Sequence, residues 1–388
     1  MFAAPIAGYL LLLLLFFLFF SVSLYFGYRE WRQPSDAVPL AMDVDYIRVE
    51  DYFGRSFRAK MQEWLRECLA EPEPNAVAAG DGSRAIRRRT PGGEQLLLVP
   101  GGRIGNGRIG NGEAEIIYSE HDLTLADGSI FRREIYSQGG VRTETGVRLQ
   151  SVAADGEMVL GADNDVARWV DAQGPIVIRG GTVVGSRASS LVSIELERGV
   201  SVQSLYAPRV RTASWGAQTD SGGDPDGDES SFPPEAQSDA VENGSPPPAV
   251  PRFLEGVRCA RLDPGTWLVQ EDLTLPAGSR IEDKLIVKGL LVAGSRCVFL
   301  RDVKAARLEL GERNRALGNL AAEDGLQVGE GSFVARNIAA GGDVRLAAGV
   351  RVGRPDSLAV VSAAGEIILE QDVTVCGKLN AGRWVRTI

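Results

Sequence analysis

The sequence is poor in the side chains that most often carry enzymatic or metal chemistry. Its 388 residues include one histidine, His121, and four cysteines that stand far apart and form no Cys-x-x-Cys pair. Neither a zinc site nor a dense disulfide framework is indicated by such spacing. Walker-type phosphate loops, Gly-x-Ser-x-Gly elbows and His-Glu-x-x-His motifs are also missing from the sequence. We therefore predict no cofactor, no metal and no enzymatic activity.

Large side chains are scarce as well, and the chain has no net positive charge. The chain has 8 Tyr, 13 Phe and 4 Met against 46 Gly, which favours tight turns and small aliphatic packing over an aromatic core. The net charge is −9, and residues 212–251 hold eight Asp or Glu and no Lys or Arg, so the rest of the chain is close to neutral. Without a basic field, nucleic acid is not expected as a partner.

Charge is absent from the first 28 residues, which predict a transmembrane helix at residues 6–28. Positions 10 to 20 are all Leu or Phe, and about 20 apolar residues cross a hydrocarbon core of about 30 Å. Arg29 and Arg32 follow this run instead of preceding it, which indicates an uncleaved anchor in the lipid bilayer and not a signal peptide. This flank predicts a single pass through the cell membrane with the C-terminal part in the cytoplasm; an extracytoplasmic body is the alternative.

Two segments of different character follow the anchor. Residues 29–70 predict a juxtamembrane amphipathic helix, because apolar side chains from Tyr46 to Cys68 recur at helical spacing with charged residues between them. Its apolar face could contact the body of the chain, the bilayer or another copy. Residues 71–115 lose this periodicity and gain Gly and Pro, which predicts a flexible linker. The run Arg87-Arg88-Arg89 within it is interpreted as solvated, with anionic lipid as the alternative partner.

A repeat of about 18 residues dominates the remainder. Its pattern is apolar, any, apolar, two of any, often Gly, two of any, apolar, and seven of eleven copies have Gly at the sixth position. The first and third positions share one side of a strand, and six residues make one short strand plus a corner. Three such units give one triangular coil, so the pattern predicts a mainly β fold, a parallel β-solenoid. The copies begin at Leu123, Val141, Met158, Ile176, Ile194, Leu273, Leu290, Leu308, Leu326, Val344 and Ile367.

The copies form a first block at 116–211 and a second block at 252–388. Between them, the acidic stretch 212–251 has too few aliphatic side chains to offset the cost of ordering, which predicts disorder. It is either an insertion that loops out of one solenoid, which we favour, or a tether between two. At the C-terminus, Trp384 and Val385 either cap the last coil or make an end-to-end contact, and our hypothesis is self-association through this pair.

These repeats resemble the bactofilins, bacterial polymer-forming cytoskeletal proteins whose central domain is a triangular β-helix. The resemblance is strongest over residues 273–378, in phrases such as Leu326-Gln-Val-Gly-Glu-Gly331 and Gly342-Asp-Val-Arg-Leu346. It implies nucleotide-independent self-assembly near the membrane, with a role in cell shape or envelope organisation. It carries over no binding or catalytic residue.

The alternative to a scaffold is a β-helix enzyme, above all a hexapeptide-repeat acyltransferase. Those enzymes generally need a histidine base in a cleft between subunits, and His121, next to Glu120 and Asp122, is the candidate. A solvent-facing corner is the interpretation that we favour for His121. Carbohydrate-active β-helix enzymes need clustered carboxylates, whereas the acidic residues here are scattered at outward positions.

Overall fold

The computed structural model describes residues 16–17, 52–69, 75–78, 84–90, 93–105, 115–214, 254 and 256–388. Phe16 and Phe17 are helical and exposed. The rest of the predicted anchor at 6–28, the start of the predicted juxtamembrane helix and most of the acidic stretch lie outside the described residues. Within the part of the chain that is described, no helix combines the length and apolar character that a membrane crossing requires.

A helix, α1, spans Tyr52–Leu69 and confirms part of the predicted amphipathic helix. Strands before the acidic stretch are β1 Asn75–Ala78, β2 Arg84–Arg89, β3 Gln95–Val99, β4 Gly102–Ile104, β5 Ile116–Ser119, β6 Leu123–Leu125, β7 Ile130–Ser137, β8 Val141–Thr143, β9 Arg148–Ala154, β10 Met158–Leu160, β11 Asp165–Val166, β12 Trp169–Ala172, β13 Ile176–Ile178, β14 Val183–Ser190, β15 Ile194–Leu196 and β16 Ser201–Thr212.

The strands after it are β17 Cys259–Asp263, β18 Thr266–Val269, β19 Leu273–Leu275, β20 Arg280–Ile281, β21 Lys284–Ala293, β22 Val298–Phe299, β23 Val303–Leu310, β24 Arg315–Ala316, β25 Leu320–Ala322, β26 Leu326–Val328, β27 Phe333–Val334, β28 Ile338–Ala340, β29 Val344–Leu346, β30 Arg351–Val352, β31 Ala359–Ala363, β32 Ile367–Leu369 and β33 Thr374–Thr387.

These strands form two parallel β-solenoids with about 14 turns in all, which confirms the predicted fold class. Successive coils within each solenoid pair in parallel, as Leu123 does with Val141 and Met158 with Ile176. Three ladders result in each solenoid. Face A contains the first strand of each repeat, such as β6 and β19; face B contains the next short strand, such as β11 and β20; face C contains the third, such as β12 and β18.

The aliphatic repeat positions point inward, as predicted, with one shift of register. In the first copy Leu123, Leu125 and Phe131 are buried. In the copy predicted from Leu290, however, the buried side chains are Leu291 and Ala293. Four successive apolar residues at 290–293 are compatible with either alternation, and pairing of Leu273 with Leu291 selects the second one.

The corner residue at the sixth repeat position has a left-handed backbone in all eleven copies of the repeat. Seven are glycines, which adopt this conformation at no steric cost, and two are aspartates, whose short polar side chain tolerates it. Two arginines also occupy it, at a cost of about 1 kcal/mol or more each. The eleven residues are Gly128, Gly146, Asp163, Gly181, Gly199, Gly278, Arg296, Arg313, Gly331, Gly349 and Asp372.

The coils of the second solenoid do not continue the first in the same direction. β16 ends the first solenoid and pairs antiparallel with β33, the last strand of the second. A looped-out insertion would instead have placed the next coil, at β18 and β19, in parallel with β16. The favoured interpretation of an insertion is therefore corrected: residues 215–253 connect two solenoids that run in opposite directions, and the first of them extends through Thr212.

The predicted linker at 71–115 also needs correction, because the first solenoid begins inside it. β3 joins face C in parallel with β5, and β4 joins face A in parallel with β6. β2 and β1 then extend face C as antiparallel strands. The arginine run lies in β2, where Arg87 Nε is 2.7 Å from Oε1 of the buried Glu115. The four consecutive apolar residues of β3, from Leu96 to Val99, stand between Gly and Pro residues, so the sequence pattern assigns this strand to the linker.

An ion pair ties β4 to the next coils. The Arg103 guanidinium donates to both carboxylate oxygens of Glu144, at 2.9 and 2.6 Å. The backbone N–H of Asp127 donates to the same carboxylate at 3.0 Å. The hydrogen bonds from Arg103 and then from Asp127 lower the pKa of Glu144 to about 2.

Acidification is therefore expected to loosen β4. Because the folded-state pKa of Glu144 is depressed from 4.5 to about 2, its contribution to stability is present above pH 4.5 and is lost as the pH falls towards 2. Hydrogen exchange at the Gly102 and Ile104 amides, compared with amides of β10, should rise selectively across this range. In Glu144→Gln these amides should exchange fast throughout, and an unchanged pH profile in that variant would contradict the assignment.

Candidate functional site: the ends, the seam and the covered face

No group of His, Cys, Asp and Glu side chains that could hold a metal ion occurs among the described residues. His121 is exposed at a corner, as favoured from the sequence. Its backbone carbonyl accepts hydrogen bonds from Ser119 Oγ at 2.8 Å and Ser137 Oγ at 2.7 Å, so its described hydrogen bonds fix the corner through the main chain. The surfaces where strands end or pair are therefore the candidate functional regions.

The antiparallel junction of β16 and β33, here called the seam, runs around all three faces. Face C of one solenoid meets face C of the other, and face A meets face B on the two remaining sides. The leucine and valine side chains of the seam are buried. Its eight residue pairs are Ser201–Arg386, Val202–Val385, Ser204–Asn380, Leu205–Leu379, Tyr206–Lys378, Ala207–Gly377, Val210–Val375 and Arg211–Thr374.

A threonine hydroxyl from the second solenoid completes the last corner of the first. Thr387 is buried, and its Oγ1 accepts from the backbone N–H of Val200 at 2.9 Å. The same hydroxyl donates to the carbonyl of Glu197 at 2.6 Å. A buried N–H and a partly buried carbonyl are thus both satisfied by a group from the other side of the seam.

Thr212 makes the reciprocal contact. Its Oγ1 accepts from the Val373 N–H at 2.9 Å and donates to the Glu370 carbonyl at 2.7 Å. The seam therefore has approximate two-fold symmetry, with Leu205 and Leu379 paired near its centre.

The sequence contains a signal for this symmetry that the repeat pattern did not reveal. Residues 205–212 read L-Y-A-P-R-V-R-T, and residues 379–387 read L-N-A-G-R-W-V-R-T. Both segments thus end in Val-Arg-Thr, and their threonines are the two whose hydroxyls form hydrogen bonds across the seam. Comparing the final coils with one another, instead of with the general repeat, would have found them.

The predicted self-association pair lies within this seam. Val385 pairs in parallel with Ile367 and antiparallel with Val202, and is buried. Trp384 is partly buried beside it in the preceding corner. Val385 thus contacts the other solenoid of the same chain, and self-association through Trp384 and Val385 stays a prediction.

Helix α1 covers the outer side of face C in the first solenoid. The Met61 and Cys68 side chains of this helix are buried against the face, and the centroid of the Phe57 ring lies 5.6 Å from that of Trp169 and 6.4 Å from that of Tyr136. Of the three partners considered for its apolar face, the structure places the body of the chain there. The buried members of this second core are Met61, Cys68, Leu96, Ile116, Tyr118, Tyr136, Ala153 and Trp169.

A buried ion pair fixes the position of α1. Arg58 is 7% exposed; its Nη1 lies 2.5 Å from Asp171 Oδ1, and its Nε donates to Asp155 Oδ1 at 2.7 Å. Asp171 is 2% exposed and accepts a further hydrogen bond from Ser189 Oγ at 2.6 Å. The approach also requires Gly54, because a Cβ there would collide with the Asp171 carboxylate.

A phenol belongs to the same network. The Tyr136 hydroxyl donates to Asp155 Oδ2 at 2.7 Å. Burial and then this hydrogen bond raise the pKa of Tyr136, so its hydroxyl keeps the proton that it donates.

Strand edges at the N-terminal coils, here called the heads, are paired on one face only within the described residues. On face C, β2 and β1 continue the first solenoid, and β17 pairs antiparallel with β18 in the second. On face A, however, β4 pairs only with β6, and β19 only with β21. Among the described residues, both heads therefore have a face A edge with no partner strand.

The orientation of these edges follows from the hydrogen bonds on their inner side. The Leu275 carbonyl accepts from the Gly294 N–H, so the N–H and C=O of the preceding Thr274 face the free edge. The same alternation holds in β4, where Gly102 and Ile104 bond to the next coil and Arg103 faces outward.

Comparison with known proteins identifies no relative. No family model, no curated protein and no solved structure matches the chain. The β-solenoid is established by its strand pairing, and no family is identified.

Removing a seam hydroxyl is expected to destabilise the protein. Thr387→Val keeps the shape but leaves the Val200 N–H and the Glu197 carbonyl unsatisfied, at a cost of about 1–3 kcal/mol in urea unfolding. Thr212→Val should lose a similar amount because of the symmetry. Thr274→Val is the matched control at an exposed outward position; equal stability of all three variants would contradict the role of the hydroxyls.

Removing the buried guanidinium is expected to release α1. Arg58→Met leaves Asp171 buried without its cation, and breaking such a pair costs about 3 kcal/mol. Hydrogen exchange across residues 52–69 and urea unfolding measure the loss. Adding Asp171→Asn should recover part of it, because the amide is neutral. Arg66→Met, at an exposed position of the same helix, is the control, and an equal loss in both single variants would argue against the ion pair.

Proposed function

We propose that this chain is a membrane-anchored structural protein that self-assembles through the heads of its solenoids. Its finer form is a cytoskeletal scaffold for cell shape or envelope organisation, comparable to the bactofilins that the repeats resemble. The coil length and the aliphatic interior support this comparison. Residues 6–28 would attach it to the cell membrane, because this segment carries no charged side chain. Arg29 and Arg32 follow the segment, which favours a cytoplasmic position for the solenoids.

The free face A edges of the heads carry the proposal. A strand edge with unpaired N–H and C=O groups is a template for pairing with another chain. The coil interior behind the edge of the second head is already covered, because Leu254 and Trp267 are buried there. Pairing between chains would thus add backbone hydrogen bonds without first opening a hydrophobic core.

Electron microscopy of residues 51–388 tests this assembly. The protein should form concentration-dependent filaments or sheets, and strictly monomeric protein at high concentration would contradict the proposal. Thr274→Pro removes only the N–H that faces the free edge, so the coil should persist while assemblies shorten to pairs. Thr274→Val, which keeps the N–H, is the matched control and should assemble normally.

Lipid vesicles provide the second arm of this experiment. Assemblies of the full chain should decorate the vesicles, whereas residues 51–388 should assemble in solution. Equal vesicle binding by both proteins would contradict anchoring through residues 6–28.

A further inference from the structure

The seam has the self-complementary geometry of an interface between two copies. Each side offers one threonine hydroxyl to the last corner of the other, and the last coils of the two solenoids share the sequence Val-Arg-Thr. Pairing runs over eight residue pairs and all three faces. Isologous interfaces of homodimers have this reciprocal form.

Nothing in the seam requires its two strands to belong to one chain. The covalent connection leaves the first solenoid after Ser214 and enters the second at Leu254, beside its head. Seven strand-to-strand steps on face C separate head from seam, or about 34 Å at about 4.8 Å per step. The 39 connecting residues can reach up to about 130 Å, which permits closure within a chain but does not impose it.

We propose that the seam also forms between chains: the last coil of the first solenoid in one copy pairs with the last coil of the second solenoid in another. Two copies then close a strand-exchanged dimer in which two stacks of coils are linked by two connections. The inference goes beyond the proposed function, because it uses no free head edge. In an assembly, this exchange would link neighbouring stacks covalently, because residues 215–253 of each chain would run from one stack to the next.

The length of the connection decides between the two arrangements and therefore provides the test. Deleting residues 217–250 leaves five connecting residues, which reach about 20 Å, too short for closure within one chain. Deleting only residues 217–233 leaves 22, which reach about 75 Å and still permit it. The first variant should form the seam only between chains, and the second, as matched control, within one.

A disulfide across the seam shows whether its two strands belong to one chain or to two. Tyr206 and Lys378 are Cα partners, so Tyr206→Cys with Lys378→Cys should form a disulfide on oxidation of the full chain in detergent. The background carries Cys259→Ser, since the other three native cysteines are buried. On a denaturing gel the short-connection variant should give a two-chain product and the control deletion a one-chain product. A one-chain product or no product from the short variant would overturn the proposal.

A second measurement covers the case in which the short variant fails to fold. Full chains carrying Tyr206→Cys alone are mixed with chains carrying Lys378→Cys alone, with the connection intact. A two-chain disulfide that increases with concentration supports exchange, and its absence at concentrations approaching the millimolar range overturns it. Adding Thr274→Pro should leave this product unchanged, so failure of head assembly and failure of seam exchange are told apart.

Discussion

The need of every strand edge for a partner is the constraint on which this structure depends. Inside each solenoid it is met by the coils above and below. The end coils lack one of these neighbours, and each buried N–H or C=O left without a partner costs about 1–3 kcal/mol. The last coils of the two solenoids satisfy this need by pairing with each other. The hydroxyls of Thr212 and Thr387 then form hydrogen bonds with the corner N–H and C=O groups that strand pairing alone would leave without a partner. Within the part of the chain that the structure describes, the heads meet it on face C alone.

The coil itself was predictable because its chemistry repeats. Inward aliphatic positions and left-handed corners recur in every coil, so eleven copies reinforce one another even where Arg296 or Arg313 replaces glycine. The direction of the second solenoid was not predictable from this signal. A repeat has the same appearance whichever end of the stack it approaches, so periodicity alone does not specify which coils meet. That information lies in the two Val-Arg-Thr endings, which break the repeat.

The covered face shows the same division between what the repeat encodes and what it does not. Helix α1 was predictable from its own periodicity, but its partner was encoded in outward positions of the coils. A solvated solenoid face needs polar or small side chains there, whereas face C of the first solenoid presents Ile116, Tyr136 and Trp169. The second solenoid has Lys304 and Ala321 at outward positions of its face C. The outward aromatic residues Tyr136 and Trp169 would have indicated that another element covers this face.

The seam also limits how the proposed assembly can be built. Because both C-terminal coils are already paired, each remaining end of the stack is an N-terminal coil. Two N-terminal edges can pair only in antiparallel orientation, as β16 and β33 do, so an assembly through the heads has no polarity. The two heads differ in one respect: Arg103 faces out from β4 with a charged side chain held by Glu144, whereas β19 presents the uncharged Thr274. Charge on an edge strand opposes pairing, and the head of the second solenoid is therefore the better candidate for the first contact between chains.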